Sequence, residues 1–380
     1  MAMHYGVDVK MITGDHQVIA KETARQLGMG DNIMSSDGLP SLDADGKVPD
    51  NVGELIGDQI LLCNGFAQVF PEHKFLIVEA LRQKGFAVGM TGDGVNDAPA
   101  LKKADIGIAV SGATDAARAA ADIVLTSPGL TIVVEAIIIA RMIFARMKSF
   151  IIYRVACTFQ LLVFFFIAVL LIHPQTLCEK SVPSSDTTTC ADYDRFWSMP
   201  VTALILITLL NDGTIISIAY DNVKASDRPE VWNMRVVYTV SLVLGMIACI
   251  SSLLWLVAAL DSNKNNSFFE SVGMGGLTYG EVMACMYLKI SLSDFLTLFA
   301  SRQRSFFWKV LPSPILFTAF CLAVGASTIL ALFWPFGEGM EGAPGAVVGW
   351  TWLYCLIWFV LQDAAKTGLY QLMFKYNCAC

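Results

Sequence analysis

The residues best suited to chemistry run from Thr91 to Asp97, as Thr91-Gly92-Asp93-Gly94-Val95-Asn96-Asp97. Asp93, Asn96 and Asp97 fall within five residues, and the two glycines let the backbone turn tightly and approach a ligand. Ala87 to Met90 is apolar and extended, and Ala104 to Val110 alternates toward a second buried strand after a short helix. The loop therefore stands at the carboxyl end of a strand, where open α/β sheets bind their ligands. Two carboxylates in that place suit a hard cation such as Mg²⁺, which takes oxygen ligands and is usually shared with a phosphate. The plainer alternative is a polar loop whose Asp and Asn only cap the next helix.

Two other stretches carry matching chemistry. Thr13-Gly14-Asp15 follows an apolar run and precedes a helix, so its amides and hydroxyl can meet an anion at a helix N-terminus. Lys74 opens a helix after Phe70-Pro71, and a lysine there can act as a point charge on a phosphoryl oxygen. The competing structural roles are an ordinary N-cap for Thr13 and a solvated helix residue for Lys74.

The elements that must position these groups read as strand 7–12, helix 16–27, strand 67–70, helix 71–84, strand 86–90, helix 97–103 and strand 105–110. A short helix near 113–120 and a strand at 123–125 follow. Strands alternating with helices predict a parallel, doubly wound α/β sheet. Residues 30–57, rich in Asp, Gly, Ser and Pro, read as a surface excursion without chemistry.

Charge divides the chain in two. Residues 1–130 hold 10 Lys+Arg against 17 Asp+Glu and so carry all of the net −7, whereas residues 131–380 hold 16 of each among long apolar runs. This pattern predicts an acidic soluble domain over 1–130, a stalk helix over 131–150 and a membrane domain over 151–375. No basic stripe suggests nucleic acid as a partner. The ten cysteines form no paired CxxC, so zinc is not indicated.

Six spans are predicted, at about 151–172, 200–219, 236–260, 280–300, 312–334 and 347–370, each near the ~20 residues a bilayer requires. The stalk should run into the first span without a break. Lys and Arg beside the spans number ten on the side of the soluble domain (Arg141 and Arg302 among them) and three on the other (Lys180, Arg195 and Lys264). By the positive-inside rule the soluble domain and the C-terminus are cytosolic. Cys178 and Cys190 would then share an outward loop able to hold a disulfide, and the Asn265-Asn266-Ser267 sequon would also face outward. Cys378 and Cys380 would lie where they could accept a lipid.

Within the spans the informative residue is Asp212, in Leu209-Leu210-Asn211-Asp212-Gly213 of an otherwise apolar helix. A charge at the bilayer centre costs about 2.5–3.5 kcal/mol on insertion scales, so such residues mark transport paths. A buried carboxyl that alternates between protonated and ionised forms is what a proton carrier needs. Asn211 and Gly213 would loosen the helix and offer hydrogen bonds; the plainer role is an Asp that only bonds across helices. The first span has Arg154 and Gln160 but no acid, which disfavours Ca²⁺ with its six to eight oxygens.

The stretch from Thr91 to Ala109 resembles the hinge motif of P-type ATPases, TGDGxNDxPALKxAxxGIA. Met11-Ile12-Thr13-Gly14-Asp15 and Phe70-Pro71-Glu72-His73-Lys74 resemble that family's further phosphorylation-domain motifs, in family order. Together they resemble the plasma-membrane proton pumps of fungi, plants and protists. The resemblance implies a HAD-like domain in which Thr13 and Lys74 contact the phosphoryl group. In it Asp93 binds Mg²⁺, Asn96 contacts the phosphate and Asp97 holds the lysine; Gly14 and Asp15 belong to the same cradle. It implies ATP as the substrate of the complete pump and Asp212 as the proton acceptor, with Asn211, Gln160, Arg154 and Asp294 as support along the path.

No DKTGT or TGES motif occurs in the sequence, so the chain is expected to be the C-terminal portion of a pump, inactive alone and dependent on an N-terminal part. Gln160 stands where plant members have a central Arg, so the positive group that restrains the aspartate is expected to be absent. Lys289 and Asp294 are expected either to pair or to reach an unseen helix, and Asp363 with Lys366 to form a structural pair. The alternatives are a pump for another cation, a phosphohydrolase on a membrane anchor, or a non-catalytic partner of a complete pump.

Overall fold

A computed structural model describes residues 2–40, 49, 51–175, 195–229, 232–263 and 276–376. Cys178, Cys190, Asn265, Cys378 and Cys380 lie outside the described residues. The chain forms two compact units, Met1–Ala140 with Ser226–Pro229, and Arg141–Ala225 with Glu230–Cys380.

The first unit is α/β. Its elements are β1 (Met11–Ile12), α1 (Gln17–Gln26), β2 (Ile33–Ser35), α2 (Val52–Leu62), β3 (Gly65–Ala67), α3 (Pro71–Gln83), β4 (Gly89–Gly92), α4 (Ala98–Lys103), β5 (Ile106–Ala109), α5 (Asp115–Ala120) and β6 (Ile123–Val124). Every strand pair is parallel. The strands divide into two three-stranded sheets, β1-β3-β2 and β4-β5-β6, where one sheet was expected. β1 and β4, the strands that lead into the two polar loops, are edge strands of their respective sheets.

The reading of residues 30–57 as a plain excursion is corrected: β2 and α2 lie within or overlap it. Val52, Ile56 and Ile60 of α2 are buried against Leu76, Ile77 and Ala80 of α3. The polar composition before Pro49 hid an apolar stripe whose spacing of four is helical. Pro71 starts α3 at a position where its missing N–H costs nothing. The first strand is also shorter than the 7–12 expected, because only Met11 and Ile12 find partners, on β3.

Among the described residues, six helices are long and apolar enough to cross a membrane. They are α6 (Thr131–Leu171), α7 (Val201–Ile216, continued by a 3₁₀ turn to Tyr220), α8 (Met234–Leu260), α9 (Tyr279–Ser301), α10 (Pro314–Leu332) and α11 (Gly345–Lys375). α6 is one uninterrupted helix of 41 residues. Nearly every side chain of α9 is buried, so α9 is the axis of the bundle. Its start is fixed by a capping box, Thr278 Oγ1 accepting from Glu281 N at 3.2 Å and Glu281 Oε2 accepting from Thr278 N at 2.9 Å. α8 and α6 touch closely at Gly245, where a Cβ would come within 2.7 Å of the Ala156 carbonyl.

Two buried ion pairs stand at the ends of the helices in this bundle. Arg302 donates through Nε and Nη2 to the two oxygens of Asp221, at 2.5 and 2.8 Å, with both side chains almost fully buried. Asp221 Oδ1 also accepts from Ser313 N at 3.2 Å, and its carbonyl accepts from Arg146 Nε at 2.9 Å. Lys366 binds Asp363 at 2.5 Å and the carbonyls of Ala300 and Ser305, while Asp363 accepts from Phe307 N at 3.0 Å. Removing one member of such a pair strands the other charge away from water. Asp221→Ala should therefore cost about 3–5 kcal/mol, read as a lowered thermal unfolding midpoint of the detergent-solubilised protein. The apolar double variant Asp221→Leu with Arg302→Met should recover most of that loss.

Candidate functional site

In the first unit the candidate residues stand on two loops and one helix start. Thr13 follows β1: its amide donates to the Phe66 carbonyl at 3.0 Å and its carbonyl accepts from Val69 N at 3.1 Å, fastening this loop to the segment that enters α3. Its hydroxyl donates to Asp15 Oδ2 at 2.9 Å and accepts from Asp15 N at 3.2 Å, so Thr13 and Asp15 order the turn around Gly14.

Lys74, in the first turn of α3, reaches across to the loop after β4 and donates to Asp97 Oδ1 at 2.7 Å. Asp97 is buried, and its second oxygen accepts from the amides of Asp93 and Gly94, both at 3.2 Å. One carboxylate thus ties a lysine to the turn that presents Asp93. Burial alone would raise the Asp97 carboxyl. The hydrogen bond from Lys74, the two amides and the lysine's charge outweigh it and hold the carboxyl below its ordinary 3.8. Gly92 has to be glycine here, since a Cβ would lie 2.5 Å from the Cβ of Asp97.

Asp93 and Asn96 are exposed on the same turn. Asp93 has no hydrogen bond or ion pair to its side chain among the described residues, so both of its oxygens are available. No group of three His, Cys, Asp or Glu among the described residues is arranged to hold a metal. A single free carboxylate beside a phosphate-suited loop fits Mg²⁺, which is held by one or two carboxylates with phosphate oxygens and water completing its shell.

In the second unit Asp212 is not the buried lone acid expected. Its side chain is 54% exposed on the surface of this chain's helices and is paired with Arg154 of α6, itself 50% exposed. The positive group expected to be absent is therefore supplied by Arg154, six residues before Gln160. α7 stays regular through Asn211 and Gly213, so the expected loosening is not seen.

Among the described residues of the bundle, the buried acid outside an ion pair is Asp294. Asn211 Nδ2 donates to Asp294 Oδ2 at 2.8 Å, and Tyr153 donates to Asn211 Oδ1 at 3.2 Å. Lys289 and Asp294 do not pair. Five residues apart on a helix they diverge by about 140°. Lys289 instead donates to Ala248 O at 3.1 Å, to Ser251 Oγ at 2.8 Å and to Ser252. Gln160 is buried. Sequence reasoning passed over Tyr153, although it lies on the same face of α6 as Gln160, two turns away, where spacing alone could have flagged it.

Asp97→Asn should remove the ion pair and lower the stability of this unit by about 1–3 kcal/mol. Because the folded carboxyl titrates below its unfolded value, its contribution is complete above the ordinary carboxylate range and is lost as pH falls through the lower, folded value. The acid limb of a melting-temperature profile should accordingly be flatter in Asp97→Asn than in the parent.

The family of haloacid dehalogenase-like hydrolases matches residues 2–105. The chain is 48% identical over 378 residues to a probable proton ATPase 1A of Leishmania donovani, covering 95% of this chain and 38% of that protein. It is 36% identical over 389 residues to a probable plasma membrane ATPase of Dictyostelium discoideum, covering 97% of this chain and 33% of the relative. A putative cation-transporting ATPase of Methanocaldococcus jannaschii is 40% identical over 369 residues, covering 95% of this chain and 40% of that protein. The chain thus spans well under half the length of these relatives. With such identity along nearly its whole length, a HAD-like domain and, among the described residues, six membrane-capable helices, the chain fits the C-terminal part of a P-type proton ATPase.

Proposed function

We propose that this chain supplies part of the phosphorylation domain (residues 1–130), the stalk (131–150) and the last six membrane helices (151–375) of a pump that exports protons across the plasma membrane at the expense of ATP. The soluble domain and the C-terminus face the cytosol, in keeping with the distribution of Lys and Arg beside the helices. An N-terminal part, with the actuator, the nucleotide-binding domain and four further helices, completes the machine.

The observation that supports this reading most is the Arg154–Asp212 pair, an acid and a cation at mid-helix among Ile205, Leu209 and Ile216. Such a pair is costly against lipid, so the remaining helices of the complete pump are placed over it. Asp212 accepts a proton from the cytosolic side, which neutralises the carboxylate and frees it from Arg154. When the site turns outward, the proton leaves Asp212 and its carboxylate pairs with Arg154 again.

In the soluble domain Thr13 and Lys74 bind the phosphoryl group that ATP donates to an aspartate of the N-terminal part. Asn96 adds a hydrogen bond, and Asp97 keeps the lysine aimed. Asp93 holds Mg²⁺, which when bound neutralises charge on the phosphoryl oxygens. Gly14 and Asp15 shape the turn that carries the Thr13 hydroxyl.

In the complete pump reconstituted into vesicles, Asp212→Asn should abolish ATP-driven acidification while phosphorylation by ATP persists; retained acidification would reject the assignment. Lys74→Ala should lower phosphoenzyme turnover by about 10²-fold or more, the usual loss when one electrostatic donor is removed from a reacting centre.

A further inference from the structure

On α9, Asp294, Ser291 and Tyr287 are spaced three and four residues apart and so share one face. All three are buried, and Asp294 Oδ1, Ser291 Oγ and the Tyr287 hydroxyl have no hydrogen-bond partner among the described residues. Ser327 Oγ of α10 and both amide atoms of Gln160 of α6 are in the same condition.

Tyr287 lies beside Ser327 and Ser291 but outside hydrogen-bonding geometry with either. Asp294 lies beside Cys157. Ser149 of α6 donates to the Arg302 carbonyl at the end of α9. The steps from Ser149 to Cys157 and from Arg302 back to Asp294 are equal, so the two helices run antiparallel in fixed register. Continued by one turn, that register sets Gln160 level with Ser291.

Orphaned polar atoms in one buried row need a shared partner, and a bridging water suits hydroxyls and an amide that stand just too far apart to bond directly. The charged and titratable groups around Asp294 among the described residues are Tyr153, Arg154 and Cys157 of α6 and Lys289 of its own helix. None of the cations bonds to it: Arg154 is held by Asp212, and Lys289 by α8.

We propose that this row is a hydrated proton path, in which Asp294 exchanges a proton with water held by Gln160, Ser291, Tyr287 and Ser327 toward the amino-terminal end of α9. The O–H bond at Asp294 Oδ1 breaks with its electrons left on the carboxylate. Each hydroxyl along the row then takes up one proton as it gives up its own. The path rests on the proton-pump reading above and adds to it a second acid, distinct from Asp212, and a named exit.

Infrared difference spectroscopy on the complete pump tests it. A protonated-carboxyl band should be present, shift on transfer to D₂O and vanish in Asp294→Asn. In the double variant Ser291→Ala with Tyr287→Phe, the band should remain while its exchange slows about tenfold, as expected when a path loses its hydrogen-bonding links. If Asp294→Asn does not fold, the double variant carries the test alone. Exchange that is unchanged in the double variant, or a band untouched by Asp294→Asn, overturns the proposal. Failure of the pump reading looks different: the parent protein would hydrolyse ATP without acidifying the vesicles, whatever the infrared band does.

Discussion

The bundle depends on one constraint, that a polar group shut away from water must find a partner inside the protein. α9 concentrates this problem because it is buried on all sides and still carries Lys289, Asp294 and several hydroxyls. Lys289 is settled by a carbonyl and two serines of α8, with no carboxylate bonded to it. Asp294 is settled on one oxygen only. At the ends of the helices, the Asp221–Arg302 and Asp363–Lys366 pairs do the same for whole charges and join loops to helix ends as they do so. The positions of α7, α9, α10 and α11 follow from these partnerships as much as from apolar packing.

The first unit obeys the same rule on a smaller scale. Asp97 is the one buried acid of its loop, and it remains ionised by collecting a lysine from α3 and two amides from its own turn. Because those bonds come from the elements that carry Lys74 and Asp93, the charge that stabilises the turn also orients the groups available to a phosphate. A glycine at position 92 makes room for this carboxylate, so backbone and electrostatics are tuned together.

Much of this was legible in the sequence. Parallel pairing followed from the alternation of strands and helices, and the spans from apolar runs interrupted at Pro200, Asn233, Thr278, Ser313 and Pro344, the residues that precede helices here. What escaped was governed by partners distant in sequence. α2 was hidden because its apolar stripe only has meaning against α3. Asp212 and Asp294 exchanged expected environments because hydropathy gives depth in a helix but not the side it faces. Arg154, expected only as support along the path, sits opposite Asp212 because helix rotation, invisible in a linear reading, brings the two together.

α6 has neither glycine nor proline between Thr131 and Leu171. At 1.5 Å per residue it is a rod of roughly 60 Å. Sharp kinks in helices arise at proline, glycine or a disrupted ladder, and this segment has no such residue. Torque applied at Thr131 therefore has no hinge in which to dissipate, and any twist there must be delivered at the level of Arg154.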